Sequence, residues 1–210
     1  MRVCATRDFW SHPRTKAVGP ESPLAYASTI KDGAELAAFR RFVRGRRYLV
    51  TPTVSRTCVF DFVDGESVVD STLVALSLDD DFDFGVLQSG VHALWVRHAN
   101  AGKGEHLRYS LQVFASFPRP WPRGSARALV AARGRHLREL RSYLALDRGL
   151  SPNAVWQGSE SEEPTTTRLA HARHELDQAV LEAYGWGVDR TDSAKILDSL
   201  IKLNEERSTQ

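Results

Sequence analysis

RRYLVTPTVSRTCVFDFV, residues 46–63, is the stretch on which the fold turns. Its β-branched and aromatic residues fall in two short runs, 48–54 and 58–63, and two further runs follow at 68–69 and 73–78. Runs of this length and composition read as strands, and Asp64-Gly65 is a turn signal that predicts a hairpin between the second and the third. Upstream, GAELAAFRRFVR at 33–44 places Leu36, Phe39, Phe42 and Val43 on one helical stripe, with Gly45 as its stop. Residues 1–32, with Pro13, Pro20 and Pro23, read as an irregular arm with room for one short strand.

Downstream, the acidic cluster at 79–83 punctuates the chain, and FGVLQSGVHALWVRH at 84–98 turns to helical periodicity through Val91, Leu94 and Trp95. A glycine-containing loop at 101–105 precedes a further predicted strand at 108–114. The three prolines of FPRPWP, 117–122, forbid regular structure. Residues 125–145 form an amphipathic helix with Leu129, Val130, Leu137, Leu140 and Leu144 inside and arginines outside. A polar linker at 149–166 leads to two more helices, 167–184 and 193–206, broken by YGWG, with Ser193 as N-cap of the last. The predicted class is α+β: a mixed α/β module at 1–120 with a short, mainly antiparallel sheet, then a C-terminal α-helical module at 121–210.

Charge is distributed unevenly over the 210 residues, whose net charge is only +2. Residues 1–56 hold eleven Lys/Arg and four Asp/Glu, 57–96 hold none and eight, 97–148 hold eleven and three, and 149–210 hold six and eleven. In the two basic blocks only Lys16, Lys31 and Lys103 are lysine. Arginine's planar fork suits phosphate and guanine edges. An arginine-rich proteome accounts equally well for the Arg/Lys ratio, but not for the clustering.

Several function classes find no support. There is no phosphate-binding G-x-x-x-x-G-K-[ST], no G-x-S-x-G elbow, no Cys-x-x-Cys and no dinucleotide-type glycine pattern. Asp79, Asp80, Asp81 and Asp83 read as a solvated run rather than a cation site, and Asp83-Phe84-Gly85 copies a kinase triplet without the other kinase elements. His171 and His174 lie three apart on a helix with no third ligand at matching spacing. No apolar run approaches the roughly 20 residues of a membrane span, and the start is not a secretory signal. Cys4 and Cys58 are isolated, so a reducing cytoplasm is the expected location.

Five segments, in order, resemble the C-terminal target-recognition region of large single-chain restriction–modification enzymes of the MmeI-like type IIG class, and the same region of class I SAM-dependent DNA methyltransferases. They are RRYLVTPTVSR at 46–56, FGVLQSGVHALWVR at 84–97, LRYSLQVFASFPRPWP at 107–122, RLAHARHELDQAVLEAYGW at 168–186 and ILDSLIKLNEER at 196–207. Trp10, His12 and Arg14 fit the aromatic-plus-arginine arm upstream. The chain departs from the family in two ways. The glycine-rich SAM motif and the Asn-Pro-Pro-aromatic motif do not occur in it, and 150–167 is polar where the family has a short helix. Met1 points to an open reading frame; a specificity subunit, a truncated gene product and an excised piece are all compatible with the sequence.

The resemblance implies a module that reads DNA for an adenine-N6 methyltransferase and holds no cofactor itself, SAM belonging to a catalytic domain or subunit. Its expected partners are double-stranded DNA and that catalytic part, with no membrane. Such a module needs phosphate contacts for register and base-edge contacts for identity. Arg44, Arg46, Arg47, Arg56 and Arg108 suit the first task, with Arg40 and Arg41 beside them. The resemblance places base choice just ahead of the Arg-Tyr-Ser triplet, at Lys103, Glu105 and His106, and base reading also falls to the hairpin around 67–72, at Ser71 and Thr72. Lys103 can donate to guanine, Glu105 can accept from cytosine, and His106 can do either. Val86, Leu87, Val91, Leu94, Trp95, Val113, Phe117, Trp121 and Trp186 are expected in the core. The arginines at 119, 123, 127, 133, 135 and 138 face phosphate if the C-terminal helices clamp the duplex. The rival reading is a scaffold that binds no DNA, or a decayed remnant of such an enzyme.

Overall fold

The computed structural model describes residues 25–27, 37, 39–41, 43–67, 69, 72–102, 104–157, 164–187, 189 and 191–208. The arm residues Trp10, His12 and Arg14, and the candidates Ser71 and Lys103, lie outside them. The chain packs as two compact units, each drawn from separated stretches: one holds Met1–Asp79, Trp95–Pro118 and Leu197–Gln210, the other Asp80–Leu94 and Arg119–Ile196. The class is α+β.

The first unit is built on a four-stranded antiparallel sheet in the order β1 (Ala25–Ala27), β5 (Leu73–Leu76), β2 (Arg47–Pro52), β4 (Asp61–Asp64). β2 is central because its middle is apolar: Tyr48, Leu49 and Val50 are buried and pair with Val63, Phe62 and Asp61 on one side, while Leu49 and Val50 pair with Leu76 and Ala75 on the other. The expected helix before β2 is present in its described residues. Phe39 and Val43 are buried with Tyr48, Val50 and Ala75, and Phe39 meets Tyr48 edge-on at 5.3 Å. The Asp64-Gly65 turn also forms, with Ser67 N donating to Asp64 O at 2.9 Å. Val68, in the partner run of the predicted hairpin, lies outside the described residues, and the strand of the fourth run, β5, pairs with β2. A second, two-stranded antiparallel ribbon joins β3 (Val54–Ser55) to β6 (Leu107–Arg108).

The predicted strand at 108–114 is a strand only as far as Arg108. Helix α3 (Leu111–Ser116) follows, because the Ser110 side chain accepts from Val113 N and the apolar spacing of Leu111, Val113 and Phe114 buries one helical face. The helical stretch 84–98 is two helices, α1 (Asp81–Gln88) and α2 (Gly90–Ala99). Ser89 divides them: its hydroxyl donates to Val86 O at 2.7 Å and accepts from His92 N at 3.3 Å. In the second unit Asp177 caps α2 from 87 residues away, accepting from Gly90 N at 2.6 Å.

The long helix α4 (Ser125–Arg148) packs on α1 and on α6 (Pro164–Tyr184). It runs three residues beyond the expected 125–145 and stops at Gly149, in a left-handed conformation. Part of the expected polar linker is helix α5 (Pro152–Gln157), whose Val155 and Trp156 are buried, with the Arg173 guanidinium 4.2 Å over the indole. The last helix, α7 (Ser193–Ser208), is capped by Asp192, not Ser193: Lys195 N donates to its carboxylate at 3.1 Å. Val86, Leu87, Val91, Trp95, Val113 and Phe117 are buried as expected, Leu94 and Trp186 are half-buried, and Trp121 and Leu129 are exposed. Trp121 follows a proline-bound segment that holds it outward, with Arg119 5.5 Å over its ring.

Helices α1 and α4 meet backbone to backbone. A Cβ on Gly134 would lie 2.8 Å from Asp81 O and 2.9 Å from the Cα of Gly85. In an open helix Gly→Ala stabilises by about 1 kcal/mol. Here Gly134→Ala reverses that sign and destabilises by about 1–3 kcal/mol, the usual cost of overpacking, as denaturant melts will show. The same unit buries His92 completely; its Nδ1 lies 2.7 Å from Leu87 O. Burial, opposed by that backbone hydrogen bond and aided by the Arg119 charge, pushes its pKa down from 6.5 to about 4. The neutral ring is therefore the folded form. Its contribution is complete above pH 6.5 and is lost as pH falls toward 4, because the unfolded chain takes up a proton that the fold refuses. Unfolding free energy should decline by about 3 kcal/mol over that window, and the decline between pH 7.5 and 5 should flatten in His92→Gln.

Candidate nucleic-acid interface

β2 ends at Pro52, and the next residue, Thr53, is a junction in the first unit. Its backbone N and its hydroxyl both donate to Thr72 O, at 2.8 and 3.0 Å, and its own carbonyl accepts from Tyr109 N at 2.9 Å. The segment 67–72 is thereby tied at both ends to the β2 region, because the Tyr48 hydroxyl donates to Ser67 O at 3.0 Å. Thr72, exposed, thus lies across Thr53 from the strand carrying Arg108.

Asn100 fixes the other candidate segment. It is only 5% exposed, and its amide spends both polarities on the backbone. Nδ2 donates to Val96 O at 2.8 Å and Arg108 O at 3.2 Å, while Oδ1 accepts from Arg108 N at 2.9 Å. One side chain therefore closes the end of α2 onto the start of the Arg-Tyr-Ser triplet. The chain between them turns through Gly102 and Gly104, at φ +78° and +92°, values that side chains rarely adopt. Glu105 and His106 are exposed on this pinned loop.

The ribbon sorts its residues by face. Ser55 pairs with Leu107 and both are half-buried; Val54 pairs with Arg108 and both are exposed. Arg56 and His106, just beyond the paired residues, are also exposed. Tyr109 is core: it is buried edge-on against Phe60 at 5.3 Å.

The other phosphate candidates are elsewhere. Arg47 opens β2 and lies roughly 20 Å from Thr53 at the strand rise of about 3.3 Å per residue. Its Nε donates to Asp79 O at 3.0 Å and its guanidinium covers the Phe62 ring at 3.7 Å. Arg46 pairs with the Asp79 carboxylate at 3.6 Å, while Arg44 is exposed nearby. So Arg56, Arg108, Glu105, His106 and Thr72 are gathered at one place, and Arg44, Arg46 and Arg47 at another.

The fold matches part of a restriction–modification enzyme. Over 80% of its length the chain superposes on the solved structure of the type IIL enzyme MmeI in complex with DNA, with a TM-score of 0.62 and 20% sequence identity. It spans 22% of that chain. No family model and no curated protein matches.

In the helical unit five of the six arginines offered as phosphate contacts meet carboxylates, and the sixth, Arg123, is exposed. Arg119 pairs with Asp83 at 3.4 Å, Arg127 with Asp80, Arg135 and Arg138 with Asp81 at 2.8 and 3.8 Å, and Arg133 with Glu175 at 3.1 Å. The acidic run is accordingly not a solvated loop. Asp80 caps α1, accepting from Phe82 N, and Asp81 and Asp83 occupy its first turn, where the helix dipole favours them. Cys58 offers no nucleophile, since burial pushes its thiol up to about 12. No described helix is long and apolar enough to cross a membrane.

Sequence reasoning missed Thr53 and Asn100. An asparagine ahead of Ala-Gly-Lys-Gly signals a helix end, but nothing in the sequence ties it to a residue eight positions on. Asn100→Ala leaves the half-buried Arg108 amide unpaired and should cost about 1–3 kcal/mol. Hydrogen exchange at the Arg108 amide should accelerate while α2 stays protected; unchanged exchange there would show that the loop does not depend on Asn100.

Proposed function

We propose that this chain is the sequence-reading part of a SAM-dependent adenine-N6 DNA methyltransferase of a restriction–modification system, acting in the cytoplasm with a catalytic domain or subunit that binds SAM. The observation that carries this reading is the clustering around Thr53. A pinned loop with exposed Glu105 and His106, a ribbon face with Arg56 and Arg108, and the segment ending in Thr72 share one set of backbone hydrogen bonds. The likeness in fold to a DNA-bound restriction–modification enzyme supports it.

A methyltransferase must extrude one base, and the reading module chooses which. In this reading Thr72, Glu105 and His106, with Ser71 and Lys103, address base edges. Arg56 and Arg108 hold the adjacent phosphates, and Arg44, Arg46 and Arg47 form a second contact region at the far end of β2. Domain 1–120 reads and domain 121–210 supports it. One observation favours the rival reading of a non-binding scaffold or decayed remnant: the helical arginines are occupied by acids.

Selection from a random duplex pool, with and without an added methyltransferase partner, separates the two. A reading module enriches a short motif, and its affinity falls steeply with salt. Exchanging the side chains of Glu105 and His106 should then change the preferred base at one position, by roughly 1–3 kcal/mol of discrimination. An unenriched pool under both conditions refutes the proposal; a uniform loss across sequences on exchange reassigns the two residues to the backbone.

A further inference from the structure

We infer that Val54 is a base-reading residue whose methyl groups contact the 5-methyl of a thymine in the major groove. The inference rests on the DNA-reading function proposed above and extends it to a residue outside the candidate set. A half-exposed valine is ordinary in itself, because apolar atoms make up more than half of any protein surface. What distinguishes Val54, 47% exposed, is its position. It lies on the open face of the β3–β6 ribbon, directly opposite Arg108, with the exposed Arg56 and His106 just beyond the paired residues. The other face carries the half-buried Ser55 and Leu107.

The open face therefore sets an aliphatic group directly beside the Arg108 guanidinium, which in the reading above holds a phosphate. Among the bases, thymine is the one whose major-groove edge offers a methyl group to such an aliphatic side chain. A two-stranded ribbon fits the major groove. Valine is stiff at χ1, so its methyls are held in place without help from a packed core.

Replacing thymine by deoxyuridine removes only that methyl group and tests the contact directly. The full 210-residue chain is used to select duplexes from a random pool, and each thymine of the selected site is replaced in turn by deoxyuridine. At one position the affinity of the unmodified chain should fall about 4-fold, the worth of one buried methyl. In Val54→Ala the ratio at that position should drop to about 1 while preferences at the other positions persist, and Val54→Thr, equal in size, should fall between. A selected site without a required thymine, no thymine-to-deoxyuridine effect at any position, or an effect unchanged in Val54→Ala overturns the role of Val54 and leaves DNA reading intact. A pool that shows no sequence preference overturns both.

Discussion

The buried side chain of Asn100 must satisfy a donor pair and an acceptor away from water, and it does so on three backbone groups of two different elements. An amide left unpaired there would cost more than any exposed contact of the loop can return. That requirement locks the end of α2 to Arg108, and through Tyr109 and Thr53 it reaches Thr72. The candidate interface is thus a consequence of burial. Its exposed residues sit on a frame of backbone hydrogen bonds.

The charge pattern has two physical meanings in one chain. Among the described residues, the arginines ahead of β3 are exposed or lightly engaged, and exposed pairs such as Arg46–Asp79 contribute little to stability. The arginines of α4 face the acids that open α1, where Asp81 is buried between two of them. A buried carboxylate needs such partners, and the close approach of α1 and α4 at Gly85 and Gly134 brings them within reach. The alternation of basic and acidic blocks is therefore in part an internal pairing code between helices, while Arg56 and Arg108 at the β3–β6 ribbon are exposed.

Much of the fold was legible because it depends on local spacing. The strands at 48–54 and 73–78, the helix stripe through Phe39 and Val43 and the long amphipathic helix all follow from periodicity, and each is present. The errors also have local causes that a competing signal won. Ser110 converts an apolar run into a capped helix, Asp192 displaces Ser193 as a cap, and a buried Val155–Trp156 pair makes a helix of part of an apparently polar linker. The loop before Arg-Tyr-Ser was singled out by the resemblance in sequence rather than by composition; its exposure, and that of Thr72 before β5, is what the structure adds.

The sequence by itself determined the elements, the α+β class, the lack of familiar catalytic motifs and the identity of the loop residues, since these rest on interactions within a few positions along the chain. Tertiary structure decided which arginines are neutralised, that β5 pairs with β2, and that Thr72, Arg56 and the 102–106 loop meet at Thr53. Those outcomes depend on contacts between residues far apart in sequence, such as Asp81 with Arg135, Gly90 with Asp177 and Thr53 with Thr72. Hydrophobic burial brings such residues together without leaving any periodic trace in the chain.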